Sequence, residues 1–214
     1  MPKYRTRSWR AFDPAAYAAG QTVAVARAPA VAVAPVRLAR SSTVRILGLD
    51  PGSRRTGFGV IECRGSKSTQ VTNGCIAVGT GSLNERLRAI FEGVQSLIEK
   101  FQPDEVAIER VFLNRNVDSA LKLGHARGAA LCAVPGALPV FEYAPRAIKL
   151  AVVGFGGAEK EQVAHMIRAL LSVQGRISAD ASDALAVAVC HANSRQMHAL
   201  RAGAEGVPVR SRSK

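Results

Sequence analysis

Four carboxylates lie where separate elements of the chain are expected to begin or end. Asp50 closes one apolar run and precedes Pro51-Gly52, and Glu109 closes another. Asp180 and Asp183 are three residues apart near the start of a long apolar segment, a spacing that puts both on one face of a helix. If all four converge, they cannot persist as bare anions in a low-dielectric cleft, so they require either protons or a bound cation.

The residue types indicate which cation would suit such a cluster. Carboxylate oxygens are hard ligands and select Mg²⁺, with Mn²⁺ as the alternative. Two such ions about 3.5–4 Å apart can activate water, orient a phosphate and stabilise the leaving oxygen. A converged set would therefore suit metal-dependent hydrolysis of a phosphodiester without a covalent enzyme intermediate.

Each acid taken alone also has an ordinary structural explanation. Asp50 could belong to an Asp-Pro-Gly turn, Glu109 could be a solvated strand end paired with Arg110, and Asp180 could face the dipole of a helix. Asp183 is harder to explain in this way because apolar residues follow it directly. The convergence of all four is the stronger signal, and it is an inference from the order of the elements.

The pattern from residue 44 onward predicts the elements that would position these acids. Strands are expected at 45–50, 56–63, 72–79, 105–109 and 140–143, and helices at 82–101, 118–134, 145–153, 159–173 and 178–193. Ser82 and Glu85 have the spacing of a capping box. Three consecutive strands predict an antiparallel meander, and strands that then alternate with helices extend it into a mixed α/β sheet flanked by helices.

Charge and composition favour a protein that binds a polyanion. The 214 residues carry a formal net charge of +13, and Lys and Arg neutralise phosphates. The four cysteines form no C-x-x-C pair, which argues against a zinc site and favours buried free thiols in a reducing compartment. No apolar run reaches the ~18 residues of a membrane span, so we expect a cytoplasmic protein.

Composition divides the chain into three segments. Residues 1–43 are rich in Ala, Val and Arg with Asp13 as their one acid, which predicts a disordered basic extension. The alternatives are an arm that touches DNA phosphates and a misassigned start, with Val44 as the true first residue. In that case the intact mass of the native protein would lack the first 43 residues. Residues 44–193 form the folded domain, and 194–214 a basic tail expected to fray.

Several stretches resemble the RuvC family of Holliday-junction resolvases. They lie at 46–53 with 56–60, 107–112, 116 with 118–124, 140–143, 152–154 with 158–160, and 180–186. The motifs occur in the family's order and spacing and span about 44 to 193 in one register. The resemblance implies a ribonuclease-H-like fold with a five-stranded mixed sheet. It also implies a structure-selective endonuclease that cuts four-way DNA junctions in recombination and repair.

The resemblance also implies roles for seven residues. The metal-binding catalytic acids would be Asp50, Glu109, Asp180 and Asp183, with two ions per site. Phe112 matches an aromatic residue that the family inserts against bases at the junction centre, and stacking there is physically sensible; without the family it would be a core Phe. Lys149 and Lys160 match basic residues that face the cut strand and offset charge near the phosphate; otherwise they would be solvated helix surface.

The family's partners follow from the same resemblance. A homodimer is implied, and the helix expected at 118–134 has small residues that permit close packing, which are Gly124, Gly128, Ala129 and Ala130. Two-fold symmetry suits a junction with two equivalent strands to cut. A branch-migration motor is implied as a further partner.

Three other classes of function stay open on the sequence. An actin-like or sugar-kinase ATPase would share the Asp50-x-Gly start, although a lone match of that kind is weak. A related nuclease of the same fold could act on other nucleic acids, and a non-enzymatic protein could bind branched DNA. The histidines are scattered, and we expect them to be structural or exposed rather than metal ligands; they are His125, His165, His191 and His198.

Overall fold

The computed structural model describes residues 43–110 and 117–205. Residues 1–42 of the predicted extension, Phe112 and residues 206–214 therefore lie outside the described residues. The strands are β1 (Val44–Asp50), β2 (Arg55–Arg64), β3 (Lys67–Ala77), β4 (Glu105–Glu109) and β5 (Val140–Tyr143). The helices are α1 (Leu83–Phe101), α2 (Val117–Cys132), α3 (Pro145–Val153), α4 (Lys160–Leu171) and α5 (Ala179–Glu205).

The strands form one mixed sheet in the order β3-β2-β1-β4-β5. β1 and β3 each pair antiparallel with β2, β4 pairs parallel with β1, and β5 pairs parallel with β4. The predicted five-stranded α/β sheet is thereby confirmed. Since β1 and β4 run in the same direction, their last residues leave the same edge of the sheet, which is where the site described below lies.

The core has two layers because the central strands are buried on both faces. Ile46 and Leu47 are neighbours on β1, so their side chains point to opposite faces, and both are fully buried. Ile46 packs with Leu185 of α5 and Ile167 of α4, whereas Leu47 packs with Ile90 of α1. A strand buried on both faces reads as a continuous apolar run, as Ile-Leu-Gly-Leu does here.

Helix α5 lies against the sheet at very short range. A Cβ placed on Gly48 would stand 2.2 Å from the carbonyl oxygen of Ala184, and one on Gly59 would stand 2.6 Å from the Leu185 side chain. Any side chain at these positions would push α5 away from β1 and β2, so glycine is required there for the approach.

A buried polar network joins α5 to the first residue of β4. His191 is 1% exposed, and its Nε2 lies 2.6 Å from the carboxylate of Glu105, while its Nδ1 lies 2.7 Å from the Tyr143 hydroxyl. Arg195 also pairs with Glu105 at 2.6 Å. Burial alone would raise the pKa of Glu105, but the hydrogen bonds from His191 and Arg195 more than offset burial and lower it. His191 therefore has the structural role expected of it.

Several boundaries differ from those expected. The capping box of Ser82 and Glu85 is present, but β3 begins at Lys67 because Gly65, at φ +58°, closes a tight hairpin after β2. Helix α5 does not fray at 193 but continues to Glu205, since Arg195 anchors its continuation to Glu105.

The thiols match the expectation only in part. All four cysteines are free, as expected, but burial holds for Cys63 and Cys190 alone. Cys75 is half-buried beside α5, and Cys132 is exposed at the end of α2. Among the helices of the described residues, none is both long and apolar enough to span a membrane.

Candidate active site

Asp50 and Glu109 leave neighbouring parallel strands side by side. Leu49 of β1 is in register with Ile108 of β4, so the next residue of each strand is one of the two acids. Their carboxyl groups are within hydrogen-bonding reach of each other. Burial, followed by the charges of Glu109, Asp183 and Asp180, raises the pKa of Asp50 to about 7. Burial also raises the pKa of Glu109 despite the hydrogen bond from Asp50. Both carboxyl groups are therefore harder to ionise here than in water, because each is buried beside other acids.

The beginning of α5 brings the other two acids to this edge. Ser178 caps the helix, since its hydroxyl accepts from the Ala181 amide at 3.2 Å and its carbonyl accepts from the Ser182 amide at 3.0 Å. The Asp180 backbone lies directly on Gly57, the β2 partner of Asp50. All four predicted acids are thus brought to one edge of the sheet.

The side chains of Asp180 and Asp183 are held by other groups. The Cys75 thiol lies 3.8 Å from an Asp180 carboxylate oxygen and 3.1 Å from the Ser178 hydroxyl. Lys160 donates to Asp183 at 3.4 Å. In these positions, no three Asp, Glu, His or Cys side chains of the described residues are arranged to hold one ion. The acids are neighbours, but their present rotamers do not form a closed ligand shell.

Both predicted lysines lie in the cleft in front of the carboxylates. This cleft of about 260 Å³ is lined by Lys149 of α3, Lys160 of α4, and the acids Glu109 and Asp183. Lys160 is exposed at its end, with 77% of its side chain accessible, and the Asp183 carboxylate raises its pKa. Two cations therefore face the open side of the acid cluster, where an anionic ligand could enter.

One positioning residue was not predicted from the sequence. Arg127 of α2 donates from Nε to the carbonyl oxygen of Glu109 at 3.2 Å, and its guanidinium also pairs with Glu142 of β5 at 2.7 Å. Arg110 pairs with Glu142 at 3.5 Å, so the considered pairing of Glu109 with Arg110 is wrong. Arg127 is 18 residues from Glu109, and no local pattern signals a contact across that separation.

Most of the chain is similar to proteins of known function. Residues 46–191 match the family model of the crossover junction endodeoxyribonuclease RuvC. A RuvC of Pseudoalteromonas translucida is 52% identical over 168 residues, which are 78% of this chain and 97% of that protein. A RuvC of Methylococcus capsulatus is 55% identical over 153 residues, or 71% and 92% of the two chains.

The chain belongs to the RuvC family of crossover junction endodeoxyribonucleases.

Solved structures extend this result to the fold. RuvC of T. thermophilus in complex with a Holliday junction substrate superposes with a TM-score of 0.68 at 33% identity, over 72% of this chain and 96% of that one. The yeast mitochondrial resolvase Ydc2 matches at a TM-score of 0.53 but only 11% identity, over 77% and 86% of the two chains, and shares the fold alone. The region matched by the RuvC model contains all four acids, both lysines and Phe112.

Proposed function

We propose that this RuvC-family chain resolves four-way DNA junctions by paired, symmetric, metal-dependent phosphodiester hydrolysis. One observation carries the proposal: the acids from β1, β4 and α5 converge at one sheet edge, where Asp50 and Glu109 leave neighbouring parallel strands side by side. Such crowding of carboxylates is stable only with a proton or a cation between them. A cytoplasmic location, expected from the thiols and from the lack of a membrane-spanning apolar run in the sequence, is part of the same proposal.

The donor set fits Mg²⁺ or Mn²⁺ in its chemistry. Asp50 and Glu109 would hold the ion once deprotonated, and Asp180 and Asp183 would complete the set by turning away from Cys75 and Lys160. When bound, two such ions supply a water activated for attack and neutralise charge on the phosphate. Four carboxylates are enough ligands for two ions, since Mg²⁺ retains several waters.

The lysines would bind and orient the scissile strand. Lys149 and Lys160 line the same cleft as Glu109 and Asp183, so a phosphate held by them would lie directly in front of the acids. Both can offset the negative charge that develops on the phosphate. If Asp183 held a cation, Lys160 would lose its present partner, and its ammonium would be free to contact DNA.

A homodimer through α2 would supply the second active site. Val117 and Leu121 are exposed by 66% and 58%, although both are large apolar residues. Together with Ala120, Gly124 and His125 they line a groove of about 240 Å³. An isologous pairing of α2 helices would cover these side chains. Phe112, proposed to stack on bases at the junction centre, precedes this helix in the chain. The branch-migration motor is a further partner expected from the family.

Cleavage of a synthetic four-way junction tests this function. The protein should introduce paired, symmetric nicks in the junction with Mg²⁺ present and none in a linear duplex of the same sequence. Chelation of the metal should stop cleavage. Equal cleavage of junction and duplex would contradict the structure selectivity, and binding without any cleavage would favour a non-enzymatic DNA-binding protein.

A further inference from the structure

A second cationic groove lies at the same edge of the sheet, on the other side of β1. Arg54 follows Asp50 by four residues, and Arg55 begins β2 opposite Ala77, the last residue of β3. These two arginines, Arg86 of α1 and residues 77–80 line a groove of about 520 Å³. Because β1 ends, β2 begins and β3 ends at one edge, the groove opens beside the carboxylates.

The three arginines lack the partners that arginines usually have. Arg54 and Arg55 are exposed, and none of the three forms an ion pair within the described part of the chain. The Nε of Arg86 is buried and has no hydrogen-bond partner there. Buried donors are almost always satisfied, so one without a partner requires an explanation. Arg86 also lines the groove, so a ligand with acceptor oxygens there would offer its guanidinium partners that the protein does not supply.

We propose that this groove is a second phosphate-binding subsite, which holds the DNA backbone of the bound junction away from the cut position. The inference rests on the proposed function and adds a contact surface to it. The lysine cleft lies on the β4 side of β1, whereas the arginine groove lies on its β2–β3 side. The groove also includes Arg86 of α1, and α1 packs on the face of the sheet opposite to α4 and α5. A DNA backbone that crosses this edge would pass both surfaces.

The chemistry of the groove favours phosphate rather than bases. A guanidinium matches the geometry of a phosphate with two parallel hydrogen bonds. The remaining lining residues are Ala77, Val78, Gly79 and Thr80, which offer no aromatic ring on which a base could stack. No carboxylate of the described residues lines the groove to repel an anion. We therefore expect contacts that fix the position of the DNA without reading its sequence.

Removal of the groove charge should change the salt dependence of junction binding. Arg54→Gln and Arg55→Gln alter exposed side chains, so folding is preserved. Arg86→Gln tests the third arginine of the lining, which is half-buried. The matched control is Arg64→Gln, because Arg64 lies at the opposite end of β2 and pairs with Glu62. Binding is measured without metal, so that the junction stays uncut. Each groove variant should lower the slope of log K against log salt by about 1 relative to Arg64→Gln.

A double-mutant cycle between protein and DNA then locates the contact. Junctions with a single uncharged methylphosphonate at successive positions should bind wild-type protein less tightly at one or two positions beyond the cut. At those positions, Arg55→Gln should lose little further affinity. Strictly additive losses at every position, or groove slopes equal to that of Arg64→Gln, would overturn the subsite. Failure of the proposed function itself would look different, since wild type and Arg64→Gln would then bind junction no better than duplex, or would bind it without cutting it when Mg²⁺ is added.

Discussion

The backbone of Gly57 lies so close to Asp180 that a Cβ on Gly57 would stand 2.0 Å from the Asp180 carbonyl oxygen. Gly57 is also the β2 partner of Asp50. The first turn of α5 therefore rests on the strand pair that carries the first acid. This contact, more than any hydrogen bond between the side chains, brings an acid of α5 to the sheet edge. Only glycine, whose side chain is a single hydrogen atom, allows the two backbones to approach this closely.

Gly57→Ala should therefore damage catalysis through geometry. The added methyl group must displace the start of α5, so we expect a loss of about 1–3 kcal/mol in the free energy of unfolding. Cleavage should fall by about 10²-fold, because a displacement of 1 Å is enough for such an effect. Thermal melting and junction cleavage rates measure the two effects.

Gly136→Ala is the matched control for this substitution. A Cβ at Gly136 meets nothing within 4 Å, so this variant should melt and cleave like the wild type. If Gly57→Ala also cleaved at the wild-type rate, the close approach of α5 would have no role in placing Asp180.

Asp50→Asn should stabilise the metal-free protein, and more at pH 8 than at pH 5. The pKa of Asp50 is raised from 3.8 to about 7, so the folded state binds this proton more tightly than the unfolded state. Wild-type stability accordingly falls as pH rises from about 4 to 7. Asn removes this loss, which for a shift of about three pKa units is on the order of 4 kcal/mol at pH 8, or roughly 8–16 °C in Tm. An equal Tm change at both pH values would contradict the raised pKa.

The pH dependence of cleavage should depend on metal concentration. A carboxylate must lose its proton before it can bind a metal, and Asp50 holds its proton up to about pH 7 in the metal-free site. At limiting Mg²⁺, cleavage should therefore decline as pH falls below 7. Saturating Mg²⁺ should move the midpoint to lower pH, because the ion competes with the proton. A midpoint unaffected by Mg²⁺ would mean that proton and metal do not share this site.

Arg127→Gln should lower the metal affinity of the site without changing the affinity for DNA. Arg127 holds the carbonyl of Glu109 and the carboxylate of Glu142 together, so its loss frees the end of β4. Outer-shell changes of this kind typically cost 10–100-fold in metal affinity or activity. We expect a higher Mg²⁺ midpoint for cleavage and unchanged junction affinity.

Arg88→Gln is the comparison for this variant, since Arg88 is exposed on α1 and pairs only weakly with Glu92 at 3.8 Å. It should leave the Mg²⁺ midpoint unchanged. A similar midpoint for Arg127→Gln and Arg88→Gln would remove Arg127 from the set of positioning residues.

The sequence could predict those features whose signal is local. Asp50 follows a strand that reads as one apolar run, Asp180 and Asp183 share one helix face, and Ser82 with Glu85 marks a helix start; each pattern lies within a few neighbouring residues. The order of strands and helices follows from the same local periodicities, and the mixed sheet is as expected.

Contacts between distant residues could not be predicted in this way. The buried hydrogen bond between His191 and Glu105 joins residues that are 86 positions apart in the chain. The contact between the Cys75 thiol and the Asp180 carboxylate joins residues that are 105 positions apart. The sequence predicts that helix α5 ends near 193, where the chain becomes basic. In the structure the helix continues, because Arg195 pairs with the buried carboxylate of Glu105. Lone His, Cys and Arg residues carry no local signal of their partners, so these interactions required the structure.

The most direct test of the central claim separates binding from cleavage in four variants. Asp50→Asn, Glu109→Gln, Asp180→Asn and Asp183→Asn each remove one negative charge and preserve shape. Without metal, all four should bind a four-way junction at least as tightly as wild type, because less negative charge faces the DNA. With Mg²⁺, each should cut roughly 10²–10³-fold more slowly or not at all. A variant that binds normally and cuts at the wild-type rate would contradict the assignment of that acid to the catalytic site.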